Sequence, residues 1–245
     1  MVIKSLIDLS IGLFSGFMSG MFGIGGGSVR IPLINLAGLP LLSAFGINLL
    51  VIPFSSSVGA ISQRRNIDKK IAMYMIIGGT LGSVTGAFLS GLIPTLALAV
   101  TFVIISVITV FGIYLDSIAP KLAHKINPGS WNIIAGSSCL NLITGMRGGS
   151  GGSLFPPFLR AMKLDIHRAI ATSLFVTIFT ASAAVVMYWH RGNIVWLSAI
   201  FVLIGSMIGA RIGSKASLNT NPTWLEIGLT VLVIALSFIT IYKVL

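Results

Sequence analysis

Apolar runs of bilayer-spanning length recur from one end of the chain to the other: Leu41–Ser62, Ile71–Leu92, Leu96–Leu115, Ile166–Trp189, Ile194–Ser214 and Leu225–Tyr242. A helix rises about 1.5 Å per residue, so about 20 apolar residues carry it across roughly 30 Å of hydrocarbon. The runs are apolar all round, whereas barrel strands alternate in polarity, so the spanning elements are expected to be helices. With 55% hydrophobic residues, 9% charged residues and a mean hydropathy of +1.01, the chain predicts an all-α polytopic membrane protein, multi-pass in a cytoplasmic or inner membrane. The first apolar stretch continues into a glycine motif that recurs later, so it is expected to remain in the mature protein.

That recurrence is the second constraint. Gly20–Pro32 reads GMFGIGGGSVRIP and Gly145–Pro157 reads GMRGGSGGSLFPP; at an offset of 125, seven of the thirteen positions are identical. Downstream the offset becomes 127, where Asn66-Ile67 matches Asn193-Ile194 and Gly78, Gly82 and Gly86 match Gly205, Gly209 and Gly213. The chain therefore divides into a first membrane repeat (1–119), a basic linker (120–129) and a second membrane repeat (130–245).

Ser28–Leu39 and Ser153–Met162 are apolar but too short to span. If they are mere loops, each half has four spans and the halves point the same way, which sends Arg160, Lys163 and Arg168 to the side opposite Arg64–Lys70. If each half instead opens with a glycine-broken helical hairpin of two partial helices followed by three transmembrane helices, the repeats are inverted. The basic clusters and the linker then share the cytoplasmic side, leaving Lys4, Arg191 and Lys243 outside. The positive-inside rule favours the second arrangement, a plan that places a substrate near the midplane at the repeat interface.

Glycines are costly inside helices, so Gly23–Gly27 and Gly148–Gly152 should break them, and broken backbone survives in a membrane only where protein or a wet cavity surrounds it. The break would free amides at the start of the following helix, with Ser28 and Ser153 as N-caps or further donors, an arrangement suited to an anion. Gly25, Gly26, Gly27, Ser28, Gly151, Gly152 and Ser153 are the candidates. The alternative is that the glycines only let helices approach closely.

Arg147 stands in the second hairpin where the first has Phe22; its guanidinium either forks onto an oxyanion or reaches the surface. Arg30, in a short arm, is expected to reach an interface. Asn48 aligns with Ser173, and with Thr172 these side chains either complete an anion shell or act as interhelical hydrogen-bond donors. The glycine series at a spacing of four are expected to be packing surfaces between the halves.

Other chemistries find little support. The net charge of +11 comes from 16 Lys and Arg spread through short loops, which argues against nucleic-acid binding. Cys139 is the only cysteine, and Asp8, Asp68, Asp116, Asp165 and Glu226 form no pair or spacing suited to a metal or to hydrolysis. No catalytic residues, metal or cofactor are expected. Only Asp8 and Glu226 are plausible intramembrane carboxylates.

The paired motifs GMFGIGGGSVRIP and GMRGGSGGSLFPP, with Ala44–Asn48, Ala169–Ser173 and the RGNIVW stretch from Arg191 to Trp196, resemble the repeated signature of the sulfite exporter TauE/SafE-like permeases. The resemblance implies a secondary transporter of small sulfur-containing or organic anions such as sulfite, sulfonates or sulfoacetate, working by alternating access. It departs from the family pattern at Gly46-Ile47-Asn48, where a small-Thr-Ser sequence is usual, and at the RGGSGG of the second hairpin. An anion channel and a non-transporting membrane scaffold are the alternatives; the expected partners are a small anion and the bilayer, and the sequence leaves a homo-oligomer open.

Overall fold

The computed structural model describes residues 2–90, 94–114, 118 and 129–242, and all regular structure among them is helical. The first half carries α1 (Val2–Phe22), α2 (Gly27–Leu36), α3 (Leu41–Ser62), a 3-10 turn (Arg64–Asn66), α4 (Lys69–Leu89) and α5 (Thr95–Ile113). The second carries α6 (Ser130–Met146), α7 (Phe155–Ala161), α8 (Ile166–His190), α9 (Trp196–Asn219) and α10 (Pro222–Tyr242). Among the described residues, five helices are long and apolar enough to cross a membrane: Ile3–Phe22 of α1, α3, α4, α8 and α9. The expected linker lies, apart from Gly129, outside the described residues, as does Lys243.

The hairpins differ from expectation in one respect. Their arms are unequal: α1 has 21 residues and α2 has 10, while α6 has 17 and α7 has 7. The first arm of the first half is thus long enough to span, and only the second arm is short.

Helix starts on the basic side follow from capping. The Asp68 carboxylate accepts from the amides of Lys70 and Ile71 to open α4, and Asp165 accepts from Arg168 to open α8.

The two halves are interleaved. α1 packs chiefly on α9, and α4 chiefly on α6, so both dominant contacts join one half to the other. Glycine makes this possible: a Cβ on Gly209 would lie 2.1 Å from the Leu13 carbonyl oxygen, and one on Gly82 would lie 2.1 Å from that of Ser138. Backbones this close gain van der Waals contact that lipid does not supply. Gly12, Gly16 and Gly20 meet the carbonyls of Val202, Ser206 and Ala210 in rising order, so α1 and α9 run parallel. Gly78, Gly82 and Gly86 meet those of Ile134, Ser138 and Leu142, so α4 and α6 do too. At the centre α3 and α8 run antiparallel: Phe45 stacks edge-on to Tyr188, Ser56 meets Thr177, and Gly59 meets Leu174.

Buried apolar side chains such as Ile47, Leu49, Ile52, Leu174 and Val176 fill the interior, while Leu81, Phe88, Ile104, Ile200 and Ile208 point outward. An apolar outer surface on such helices is what lipid requires. The chain is a multi-pass membrane protein.

Candidate functional site

The two glycine hairpins meet apex to apex. A Cβ on Gly152 would lie 2.6 Å from the Ile24 carbonyl oxygen and 3.0 Å from the Gly25 nitrogen; one on Gly25 would lie 3.7 Å from Ser150 Oγ. The glycines shared by the repeats have a backbone reason: Gly26 and Gly151 have φ of 74° and 72°, a region that costs L-residues about 1–2 kcal/mol.

Each apex leaves backbone donors over. Among the described residues, the amides of Gly25, Gly26, Gly27 and Ser28 find no acceptor, and neither do those of Ser150, Gly151, Gly152 and Ser153. Buried amides without partners are rare, because each forfeits a hydrogen bond that water would have given. Two hydroxyls nearby are in the same condition: Ser150 Oγ, and Ser19 Oγ, whose Cβ lies 3.3 Å from where a Gly26 side chain would begin. The serines expected as caps are not caps. Gly26 caps α2, so Ser28 is the second residue of that helix, and Leu154 caps α7, leaving Ser153 in the turn before it.

Arg30 is the principal correction. Expected at an interface, it is 0% exposed in α2, and its guanidinium ties four helices together. Nε donates to Ser15 Oγ of α1 at 3.2 Å, Nη1 to Asn48 Oδ1 of α3 at 2.8 Å, and Nη2 to Ser206 Oγ of α9 at 3.0 Å. The two serine hydroxyls spend their own protons on the Gly12 carbonyl, which turns their lone pairs toward the guanidinium. All three acceptors are neutral, and no carboxylate lies within 4.0 Å among the described residues. A buried charge without a counter-ion costs several kcal/mol, only partly offset by charge-assisted hydrogen bonds of about 1.5–3 kcal/mol each. The positive charge stands beside the free amides of Gly25–Ser28: Nη2 is 2.9 Å from where a Gly26 Cβ would be.

Asn48 and Ser173 occupy equivalent steps of the two repeats and act alike. Asn48 Nδ2 donates to the carbonyl of Gly148 at 2.8 Å, and Ser173 Oγ donates to that of Gly23 at 2.6 Å. Each half thereby holds the other half's hairpin. Thr172 is elsewhere: its Oγ1 accepts from the Asp68 amide at 3.0 Å, tying α8 to the α3–α4 loop. Arg147 follows α6 as its C-cap, with its amide on the Thr144 carbonyl at 3.1 Å and its side chain half-buried.

The structure therefore brings together Gly25, Gly26, Gly27, Ser28, Gly151, Gly152, Ser153 and Asn48, with Ser173 bonded to the Gly23 carbonyl of the first hairpin. It adds Arg30, Ser15, Ser19, Ser150 and Ser206. Arg30 carried a readable signal, a charge in a ten-residue apolar arm that begins at a buried glycine. The serines carried none. Among the described residues no group of three or more His, Cys, Asp or Glu is placed to hold a metal ion.

Known proteins resemble this sequence across most of the chain. It is 26% identical over 266 residues to the probable membrane transporter protein YunE of Bacillus subtilis, covering 97% of each chain. It is 26% identical to YdhB of the same organism over 82% of this chain and 85% of the relative, and 24% identical to YfcA of Escherichia coli over 85% and 79%. Both of these are also described as probable membrane transporter proteins. No solved structure matches. The family model of the sulfite exporter TauE/SafE matches residues 9–239, both hairpins included, and the chain belongs to this family of membrane transporters.

Proposed function

We propose that the protein is a secondary transporter of small oxyanions of the sulfite, sulfonate or sulfoacetate class, seated in the cytoplasmic membrane. The observation that carries this reading is Arg30, a fully buried cation with neutral partners only, beside a run of unpaired amides at Gly25–Ser28. Fixed N–H dipoles and a guanidinium in a dry site attract an oxyanion far more strongly than they would in water. Ser19 and Ser150 supply hydroxyl donors at the rim of the same apex. Arg147 stands at the second apex, where it would meet the anion on its path.

The two halves are inverted across the membrane in this reading. Its support is the antiparallel pairing of α3 with α8, the helices that the repeat makes equivalent. The Asp68–Arg168 ion pair at 2.6 Å draws the Arg64–Lys70 and Arg160–Arg168 clusters to one face, and Arg191 reaches the Phe88 carbonyl at the other. By the positive-inside rule the first face is cytoplasmic. Exposed Trp131 and Trp224 near that face and Trp189 and Trp196 near the other are placed as interfacial anchors. Rocking of the interleaved bundles about the hairpin apices would then open the site to each side in turn.

Purified protein in liposomes, loaded with labelled sulfite, tests this. Flux should saturate and show trans-stimulation; Arg30→Ala should lose about tenfold or more, as expected for removing a buried charged hydrogen-bonding partner. Arg147→Ala should raise the half-saturating concentration. Unchanged flux in correctly folded Arg30→Ala would remove the guanidinium from the pathway.

A further inference from the structure

Among the described residues, three carboxylates have an arginine beside them. Asp68 lies 2.6 Å from Arg168, Asp165 lies 4.0 Å from it, and Glu226 lies 2.6 Å from Arg160. Asp8 is different. It sits within the membrane-spanning α1 at 2% exposure, makes no ion pair with any described residue, and its Oδ1 has no hydrogen-bond partner. An intramembrane carboxylate facing protein is costly to keep and marks an ion or proton path more often than a packing role.

Asp8 shares one face of α1 with Gly12, Ser15 and Ser19, at steps of four, three and four residues. Ser15 is the acceptor for Arg30, seven residues on, so the carboxylate stands about 10 Å from that contact along the helix axis. The register of α1 on α9, in which Gly12 meets Val202 and Gly16 meets Ser206, puts Asp8 one turn earlier, level with buried Ser198.

Few charges face it. α2 contributes Arg30 alone, and α3 has no ionisable side chain. Arg211 and Lys215 of α9 fall level with Met21 and beyond, at the opposite end of α1. α8 carries His167 and Arg168 at the far end and Tyr188 and His190, with Arg191 following, at the end that it shares with Asp8, none of them in an ion pair with the carboxylate, and Glu226 of α10 is paired with Arg160. Lys4, one turn earlier on α1, is exposed and makes no ion pair with the carboxylate.

We propose that Asp8, with the Ser198 hydroxyl level with it, binds the coupling cation, a proton or Na⁺, that moves with the anion; the coupling, though not the cation site, rests on the transport reading above. A carboxylate and a hydroxyl are hard oxygen ligands suited to either ion. Arg30 is a buried cationic group and Asp8 a buried carboxyl, and among the described residues neither has an ion-pair partner. An anion at the Arg30 apex cancels the positive field that opposes a cation at Asp8, and by linkage a cation at Asp8 strengthens the anion's hold. Two unit charges about 10 Å apart at an effective dielectric near 20 couple their ligands on the order of tenfold.

The site is read first without any anion. Purified wild-type protein is titrated by pH in Na⁺-free buffer and by Na⁺ at fixed pH, and the infrared carboxyl bands are compared with those of Asp8→Asn. A carboxyl signal that responds to H⁺ or to Na⁺ in the wild type and is missing in Asp8→Asn supports the site and names its ion. Identical difference spectra overturn it. Asp8→Glu, which keeps the carboxyl group, should retain a shifted signal and guards against loss of fold in the amide variant. Sulfite uptake into liposomes then tests coupling: an inward gradient of that ion should accelerate the wild type about tenfold and Asp8→Asn less than twofold, whereas equal acceleration of the two overturns coupling. A positive infrared result with no sulfite flux in the wild type would sink the transport reading while supporting the cation site.

Discussion

Arg30 and Phe155 stand at the same step of the two repeats, and so do Phe22 and Arg147. The repeats thus place their arginines differently, and only Arg30 is enclosed completely. Asn48 is the residue on which that enclosure turns, because its Oδ1 receives Arg30 while its Nδ2 holds Gly148. Replacing it by aspartate would give the guanidinium the counter-charge that it lacks. Asn48→Asp is therefore expected to remain folded yet to lose the thermal stabilisation that sulfite confers on the wild type, with affinity down about tenfold or more. Retained stabilisation by sulfite would show that the anion does not depend on the uncompensated charge. Gly152→Ala addresses the apex itself: its methyl group would press on the Ile24 carbonyl and the Gly25 nitrogen, both main-chain atoms. It should lower the melting temperature and flux, whereas Gly129→Ala, whose Cβ would meet nothing within 4 Å among the described residues, should leave both unchanged.

At the scale of the helix, the seams are glycine against backbone. Overpacking a tight contact costs typically about 1–3 kcal/mol, so Gly82→Ala and Gly209→Ala should each lower the melting temperature in detergent measurably, while substitution of outward-facing Leu81 by Ala should not. Equal effects at Leu81 and Gly82 would deny the seam. These seams were readable in advance, since a spacing of four puts glycines on one helix face. Their partners were not. Arg30 meets Ser15 and Asn48 across 15 and 18 residues but Ser206 across 176, and nothing in one sequence ties residues that far apart. The hairpin arms were legible only in part: glycine marks where a helix breaks, whereas α1, at 21 residues, is long and apolar enough to span by its own composition.

For the whole molecule, the repeat and the charge pattern between them predicted the inverted plan, and a labelling experiment can decide it. With Cys139, which is exposed, replaced by serine, single cysteines at Arg65, Lys163 and Gly192 report three loops. A membrane-impermeant maleimide applied to intact cells should label the Gly192 position, and the other two only after lysis. Labelling of the Lys163 position from outside would restore the same-direction arrangement and remove the basis for alternating access between inverted halves. What the repeat could not reveal is which helix of one half closes on which helix of the other, α1 on α9 and α4 on α6.

That closure has a consequence for how the chain is made. α1 is synthesised first, yet its main partner, α9, begins at Trp196. Until α9 is made, the glycine face of α1 lacks its partner and Arg30 lacks the Ser206 acceptor, and the Ser173 hydroxyl that anchors Gly23 arrives only in the second half. The two halves share one glycine motif, but each closes its glycine seam only on a helix of the other.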